Sequence, residues 1–161
     1  MQHEKAIFKR ISIGVAAASL LVGVTSGCSE EQTSAASEPE VHELQVTTDQ
    51  YSALDLGSSG TSVGDMDVFS GSAMKDGSKV GNAGGSCQAT HVDGEKVTTQ
   101  CLITMELEAG ALAVQALWIK GTSPLDMAIT GGTGAYRNAR GVVRFWDIAT
   151  PNERLRTEIF Y

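Results

Sequence analysis

Apolar and polar positions alternate along most of this chain from Val41 onward, and a period of two predicts strands rather than helices. His42 to Thr48 puts Leu44 and Val46 on one face. Met66 to Met74, Gly85 to Val92, Val97 to Glu108, Leu112 to Ile119, Leu125 to Ile129, Val142 to Ile148 and Arg154 to Tyr161 read the same way. Turn residues separate them: Asp93-Gly94-Glu95, Ala109-Gly110, Gly121 to Pro124, Gly131 to Gly134, and Thr150-Pro151-Asn152. About eight strands therefore fall within residues 41–161. No stretch supports a long amphipathic helix, although Ala135 to Ala139 has room for one turn. Strands at this spacing predict an all-β domain, either an antiparallel barrel or a sandwich. A ring of about eight strands closes its own edges, and its interior is either filled by side chains or holds one small ligand.

The N-terminus has a different pattern. Lys5, Lys9 and Arg10 precede an uncharged, mostly apolar run from Ile11 to Val24. That run is shorter than the ~20 residues of a comfortable membrane span. Small polar residues and Cys28 come next, which is the layout of an export signal over residues 1–27. Val24-Thr25-Ser26-Gly27-Cys28 resembles a bacterial lipobox, which implies cleavage before Cys28 and lipidation of that residue. The alternative is a plain secretory signal cut nearby, with Cys28 incidental. Residues 28–40 are acidic and aperiodic, and read as a solvated tether. The expected domain is then residues 41–161, attached to the bacterial envelope membrane by its lipid anchor alone.

Charge narrows the possible partners. The chain of 161 residues has 12 basic and 19 acidic side chains, a net charge of −7. Three of the basic and one of the acidic residues lie in the leader, so 9 stand against 18 after it, a net −9. No basic patch is available to replace phosphate counterions, and no nucleic-acid partner is expected. Gly131-Gly132-Thr133-Gly134 leads by a short turn into another strand, whereas a dinucleotide fingerprint opens a helix.

The hairpin around Gly94 makes a covalent prediction. With Gly94 at the turn centre, Cys87 and Cys101 are equidistant from it and directly opposed. Opposed residues have Cα atoms ~4.5–5.5 Å apart, within reach of a disulfide. An exported chain meets an oxidising compartment in which such a bond persists. The alternative is a pair of buried free thiols.

Three stretches carry a resemblance to a known family. Gly64 to Ser70 (GDMDVFS) is similar to the strand opening of the allene oxide cyclases, and Lys79 to Cys87 (KVGNAGGSC) to a later strand of theirs. Met127 to Gly141 (MAITGGTGAYRNARG) resembles both the cyclases and the dirigent proteins, and is the most specific of the three. The chain is thereby identified as a member of the allene oxide cyclase barrel superfamily. The resemblance implies an eight-stranded antiparallel up-and-down barrel with an apolar cavity, and a homotrimer, a form common in that superfamily. Gln45 and Thr47 stand where the cyclases carry Glu and Asn, Gly71 where they carry Asn, and Cys87 at their barrel cysteine. What remains implied is a hollow barrel that holds a small hydrophobic molecule in one shape and steers its cyclisation, isomerisation or coupling. A non-catalytic binding or structural lipoprotein is the other reading.

Candidate site residues come from both the alternation and the resemblance. Gln45, Thr47, Phe69, Ile103, Met105 and Trp118 are the expected ligand contacts, with Phe145 and Trp146 as further lining or packing. The expected mouth lies near the loop from Gly57 to Gly64. Asp65 and Asp67 alternate onto one face, where they form either a paired-carboxylate site or solvated rim charges. His42 and His91 are too few ligands for a metal site, and no metal or cofactor is expected. No nucleophile elbow is visible.

Overall fold

The computed structural model describes residues 38–161. The leader, Cys28 and most of the tether lie outside the described residues. The strands are β1 (Glu40–Leu54), β2 (Met66–Lys75), β3 (Ser78–Asp93), β4 (Lys96–Leu107), β5 (Gly110–Ile119), β6 (Leu125–Gly132), β7 (Arg140–Trp146) and β8 (Arg154–Phe160). Each pairs antiparallel with its neighbour, and β8 returns to pair with β1, closing the barrel. The one helical element among the described residues is a 3-10 turn at Gly134–Tyr136, overlapping the region where the sequence left room for one.

Two turns explain why the chain reverses where it does. Asp76 and Gly77 both take positive φ, at 51° and 78°. They form the two-residue hairpin turn that Asp-Gly favours, because its twist matches that of the strands. The β3–β4 hairpin turns at Gly94-Glu95, with Asp93 opposite Lys96. That is half a step from a turn centred on Gly94. A bulge at Thr90, between Ala89 and His91, then restores the expected register, so Cys87 does face Cys101. The two are joined in a disulfide, with Cα atoms 4.0 Å apart.

The glycine-rich motif has a steric cause. Gly134 has φ +59°, and a Cβ there would collide with the Ala109 carbonyl oxygen. Gly141 has φ +132°, and a Cβ there would collide with the Glu158 carbonyl oxygen on β8. Only glycine accepts both the conformation and the approach.

Inward residues are apolar in alternation, as on β5 with Leu112, Val114, Ala116 and Trp118. The end of the barrel that holds the start of β1 is filled. Leu112, Val143 and Ile159 are fully buried there, Met105 and Val114 nearly so, and Tyr136 plugs the space behind them. At the opposite end, where the β1–β2, β3–β4, β5–β6 and β7–β8 connections lie, the interior opens.

Candidate functional site

The open end holds a cavity of about 190 Å³. Its walls are mostly apolar and aromatic: Phe69, Ile103, Met105, Trp118, Phe145 and Leu155 among them. The Cys87–Cys101 disulfide is part of the wall between β3 and β4. Trp118 is held by its own loop, its indole Nε1 donating to the Thr122 carbonyl at 2.9 Å. Four of the six expected contacts, Phe69, Ile103, Met105 and Trp118, line this space together.

Gln45 and Thr47 do not. The inward face of β1 carries Leu44, Val46 and Thr48, which leaves Gln45 and Thr47 on the outside. The β1 register then shifts between Thr48 and Gln50, with Asp49 as the extra residue. A bulge re-aims the residues after it, so Tyr51 rather than an even-numbered residue reaches the cavity. Asp49 itself accepts a hydrogen bond from the Ser72 hydroxyl at 2.7 Å.

The two aspartates part company. Asp65 accepts from the backbone N–H groups of Leu56 and Ser62, at 3.0 and 2.8 Å. The Ser62 bond, then the Leu56 bond, hold its carboxyl below the usual carboxylate range and tie the loop together. Asp65 therefore braces the loop and lies outside the cavity lining. Asp67 is buried and faces the cavity. Its Oδ1 accepts from the Tyr51 hydroxyl at 2.6 Å, and its Oδ2 is ion-paired with Lys120 Nζ at 2.6 Å. The bond to Asp67, aided by burial, raises the Tyr51 phenol above its ordinary value. No paired-carboxylate site is formed by Asp65 and Asp67.

A different second carboxyl lines the cavity. Glu153, at the foot of β8, accepts from the Ala149 N–H at 2.9 Å. Burial pushes its carboxyl up, against the opposing pull of that hydrogen bond. The β7–β8 connection that presents it is tightly wound, with Asp147 and Ala149 at φ 54° and 60°.

Tyr51, Lys120 and Glu153 were thus missed from sequence. Lys120 and Glu153 carried a signal. Each lies one alternation step beyond a strand end, in phase with Trp118 and Leu155. Tyr51 carried none, because the bulge reverses its phase.

The rim also differs from expectation. The Gly57-to-Gly64 loop stands at the open end, but the mouth is lined by Tyr51, Lys120, Ile148 and Ala149 instead. Trp146 points outward, with the Arg154 guanidinium 5.0 Å and that of Arg144 6.0 Å from its ring centre. His42 and His91 sit at opposite ends of the barrel, and His91 is exposed.

A family model described as "Allene oxide cyclase barrel like domain" matches residues 40–160. A pyocyanin demethylase of solved structure is 38% identical, with a TM-score of 0.72 over 75% of this chain and 100% of that one. The exo-specific intermolecular Diels-Alderase AbnU is 15% identical, at TM-score 0.62 over 74% of this chain and 95% of that one. A pterocarpan synthase dirigent protein is 17% identical, at TM-score 0.57 over 77% and 94%. At these last two identities the likeness is one of fold. No curated protein sequence matches.

Proposed function

The chain belongs to the allene oxide cyclase barrel-like family, and on that footing we propose that it binds one compact, flat, largely apolar molecule in the open end and transforms it there. Asp67 and Glu153 are the groups that move protons on the guest. The observation that carries this reading is the presence of two carboxyl groups, Asp67 and Glu153, in a cavity whose walls are mostly apolar. A carboxyl in such surroundings costs free energy and can be tuned toward neutral pH, as a general acid or base requires. Burial already pushes Glu153 in that direction.

The guest class is supported by shape. The walls include Phe69, Trp118 and Phe145, which offer flat faces to a ring. A volume of about 190 Å³ is small for a ligand site and favours a compact guest. The 38% identical relative is a pyocyanin demethylase, so N-methylated planar heteroaromatics are the first substrates to test. Pyocyanin is incubated with the purified full-length protein and its conversion is followed. Glu153→Gln and Asp67→Asn should each lower turnover by ~10²-fold or more, with affinity changed only a few-fold. Conversion unaffected by both variants would sink the proton-transfer reading.

A second reading is favoured by the hydrophobic depth of the cavity at Ile103, Met105 and Leu155. Here the barrel steers a cyclisation, isomerisation or coupling by fixing the conformation of the guest. Turnover would then survive both carboxyl variants and be abolished by filling the cavity.

The same proposal puts the barrel outside the cytoplasm, held at the envelope by acyl chains on Cys28. The order of basic residues, apolar run and Gly27-Cys28 supports it, as does a disulfide of the kind that oxidising compartments preserve. Cys28→Ser should move the protein from the membrane to the soluble fraction or block its processing. Unchanged fractionation and mobility would overturn the anchor.

A further inference from the structure

One cationic side chain lines the cavity, and it stands at the mouth. Lys120 extends from the end of β5, and its Nζ is ion-paired with Asp67 Oδ2 at 2.6 Å. Asp67 is on β2, and two strands separate β2 from β5 in the barrel wall. The pair therefore reaches across the opening instead of joining neighbours. An ammonium has three N–H donors, and the ion pair with Asp67 occupies at most one of them. The Lys120 side chain is 47% exposed, so its remaining donors are open to water or to a guest.

The neighbouring charges leave room for an anion. Asp67 is already matched by Lys120 and by the Tyr51 hydroxyl. Glu153 is turned back to the Ala149 N–H, and burial biases its carboxyl toward the uncharged form. Lys120 offsets the charge of the buried Asp67 carboxylate, while its own head stays half-exposed at the mouth, within reach of a guest. Its pairing with Asp67 also fixes a long, flexible side chain in advance, which lowers the entropy lost when a guest engages it.

We infer that Lys120 is a specificity-determining residue, which selects flat aromatic guests carrying an anionic oxygen, a carboxylate or phenolate, on one edge. The oxygen takes a free Nζ donor at the mouth while the ring lies against the aromatic walls. The inference rests on the reading of this cavity as a small-molecule site, and adds to it the chemistry of one substituent.

Equilibrium dialysis of the purified full-length protein against phenazine and against phenazine carboxylate tests it. The parent should bind the carboxylate about tenfold tighter, the scale of one added charge-assisted hydrogen bond. Lys120→Met keeps the aliphatic stem and should bring the two affinities within about twofold, with phenazine itself little affected. Lys120→Arg should keep most of the preference, since it keeps the charge.

Equal binding of both probes by the parent, or a preference that persists in Lys120→Met, overturns the inference and leaves the small-molecule reading standing. Loss of the preference in Lys120→Arg also overturns it, by making shape the cause. If neither probe binds the parent, the reading of the cavity as a flat-aromatic site falls, and this inference with it.

Discussion

The filled and open ends of this barrel are made from the same eight strands, yet they are different materials. At the filled end, Leu112, Val143 and Ile159 are 0% exposed, and Tyr136 on the 3-10 turn caps them. Around the cavity, inward positions carry Ala73, Ala83, Gly71 and a disulfide, small groups that leave the walls apart. The larger residues there, Phe69, Trp118 and Phe145, border empty space. Tyr51, Asp67, Lys120 and Glu153 add polar groups that a packed core excludes. The contrast teaches a division of labour. Close packing at one end supplies the cohesion, and this lets the other end keep a void and an ionic cluster that each cost stability.

Truncation should expose the contrast most sharply. Leu112→Ala at the filled end should cost ~2–5 kcal/mol, because it leaves a cavity in dense surroundings. Phe69→Ala removes more atoms but faces existing space, so it should cost less. Urea unfolding of both variants checks the order. A larger loss for Phe69→Ala would mean that the two ends do not differ in packing.

The disulfide ties the open end together where packing is weak. Its sequence separation of 14 residues corresponds to ~3 kcal/mol of unfolded-state entropy in the chain-closure model. Replacing Cys87 and Cys101 with serine should lower stability by about that amount. Thiol counting on unfolded, unreduced protein should find neither of the two free. Two free thiols in exported protein would remove the covalent half of the contrast.

Filling the void separates function from stability. Ile103 lines the cavity, and Ile103→Trp should abolish guest binding. Because it fills space, its effect on the melting temperature should be small or favourable. Retained binding in that variant, with binding lost in Asp67→Asn, would make the carboxylate rather than the void the determinant.

The two ends also differ in how far they could be read beforehand. On β5 and β7 alternation runs unbroken, so Leu112, Val114 and Val143 point inward as a period of two requires, although β3 and β6 carry register shifts near the same end. Gly131 to Gly134 and Gly141 announced the turn and the close approach that their missing Cβ atoms permit. The lower part of β3, from Ser78 to Gly84, was legible as strand only through the likeness of Lys79 to Cys87 to a cyclase strand, because its glycines give no apolar phase. At the open end, the bulges at Asp49 and Thr90 change the phase, and a bulge has no compositional mark. The first hid Tyr51; transfer of Gln45 and Thr47 from the cyclase pattern failed separately, since both lie on the outer face of β1. The second bulge cancelled a half-step error in the turn, so the Cys87–Cys101 pairing held although its assumed turn centre did not. Lys120 and Glu153 were within reach, had the alternation been carried one step past the strand ends.

The smallest effect concerns pH, and it contrasts the cavity with the outer surface. Burial raises the Glu153 carboxyl above its ordinary 4.5. The folded state therefore holds that proton more tightly than the unfolded state does. This contribution is fully present below 4.5 and is lost as pH rises through the raised value. Asp126 on the outer face behaves in the opposite sense. Its hydrogen bonds from Arg144, at 2.5 and 2.6 Å, lower it below its ordinary 3.8. Its contribution is present above 3.8 and lost as pH falls, and as an exposed pair it is small. Glu153→Gln should therefore gain stability relative to the parent as pH rises from acid to neutral, while Asp126→Asn should lose it over the acid range. Paired urea titrations across that range check both signs. If Glu153→Gln instead loses ground toward neutral pH, the carboxylate is stabilised where it sits, and the cavity is more polar than its walls indicate.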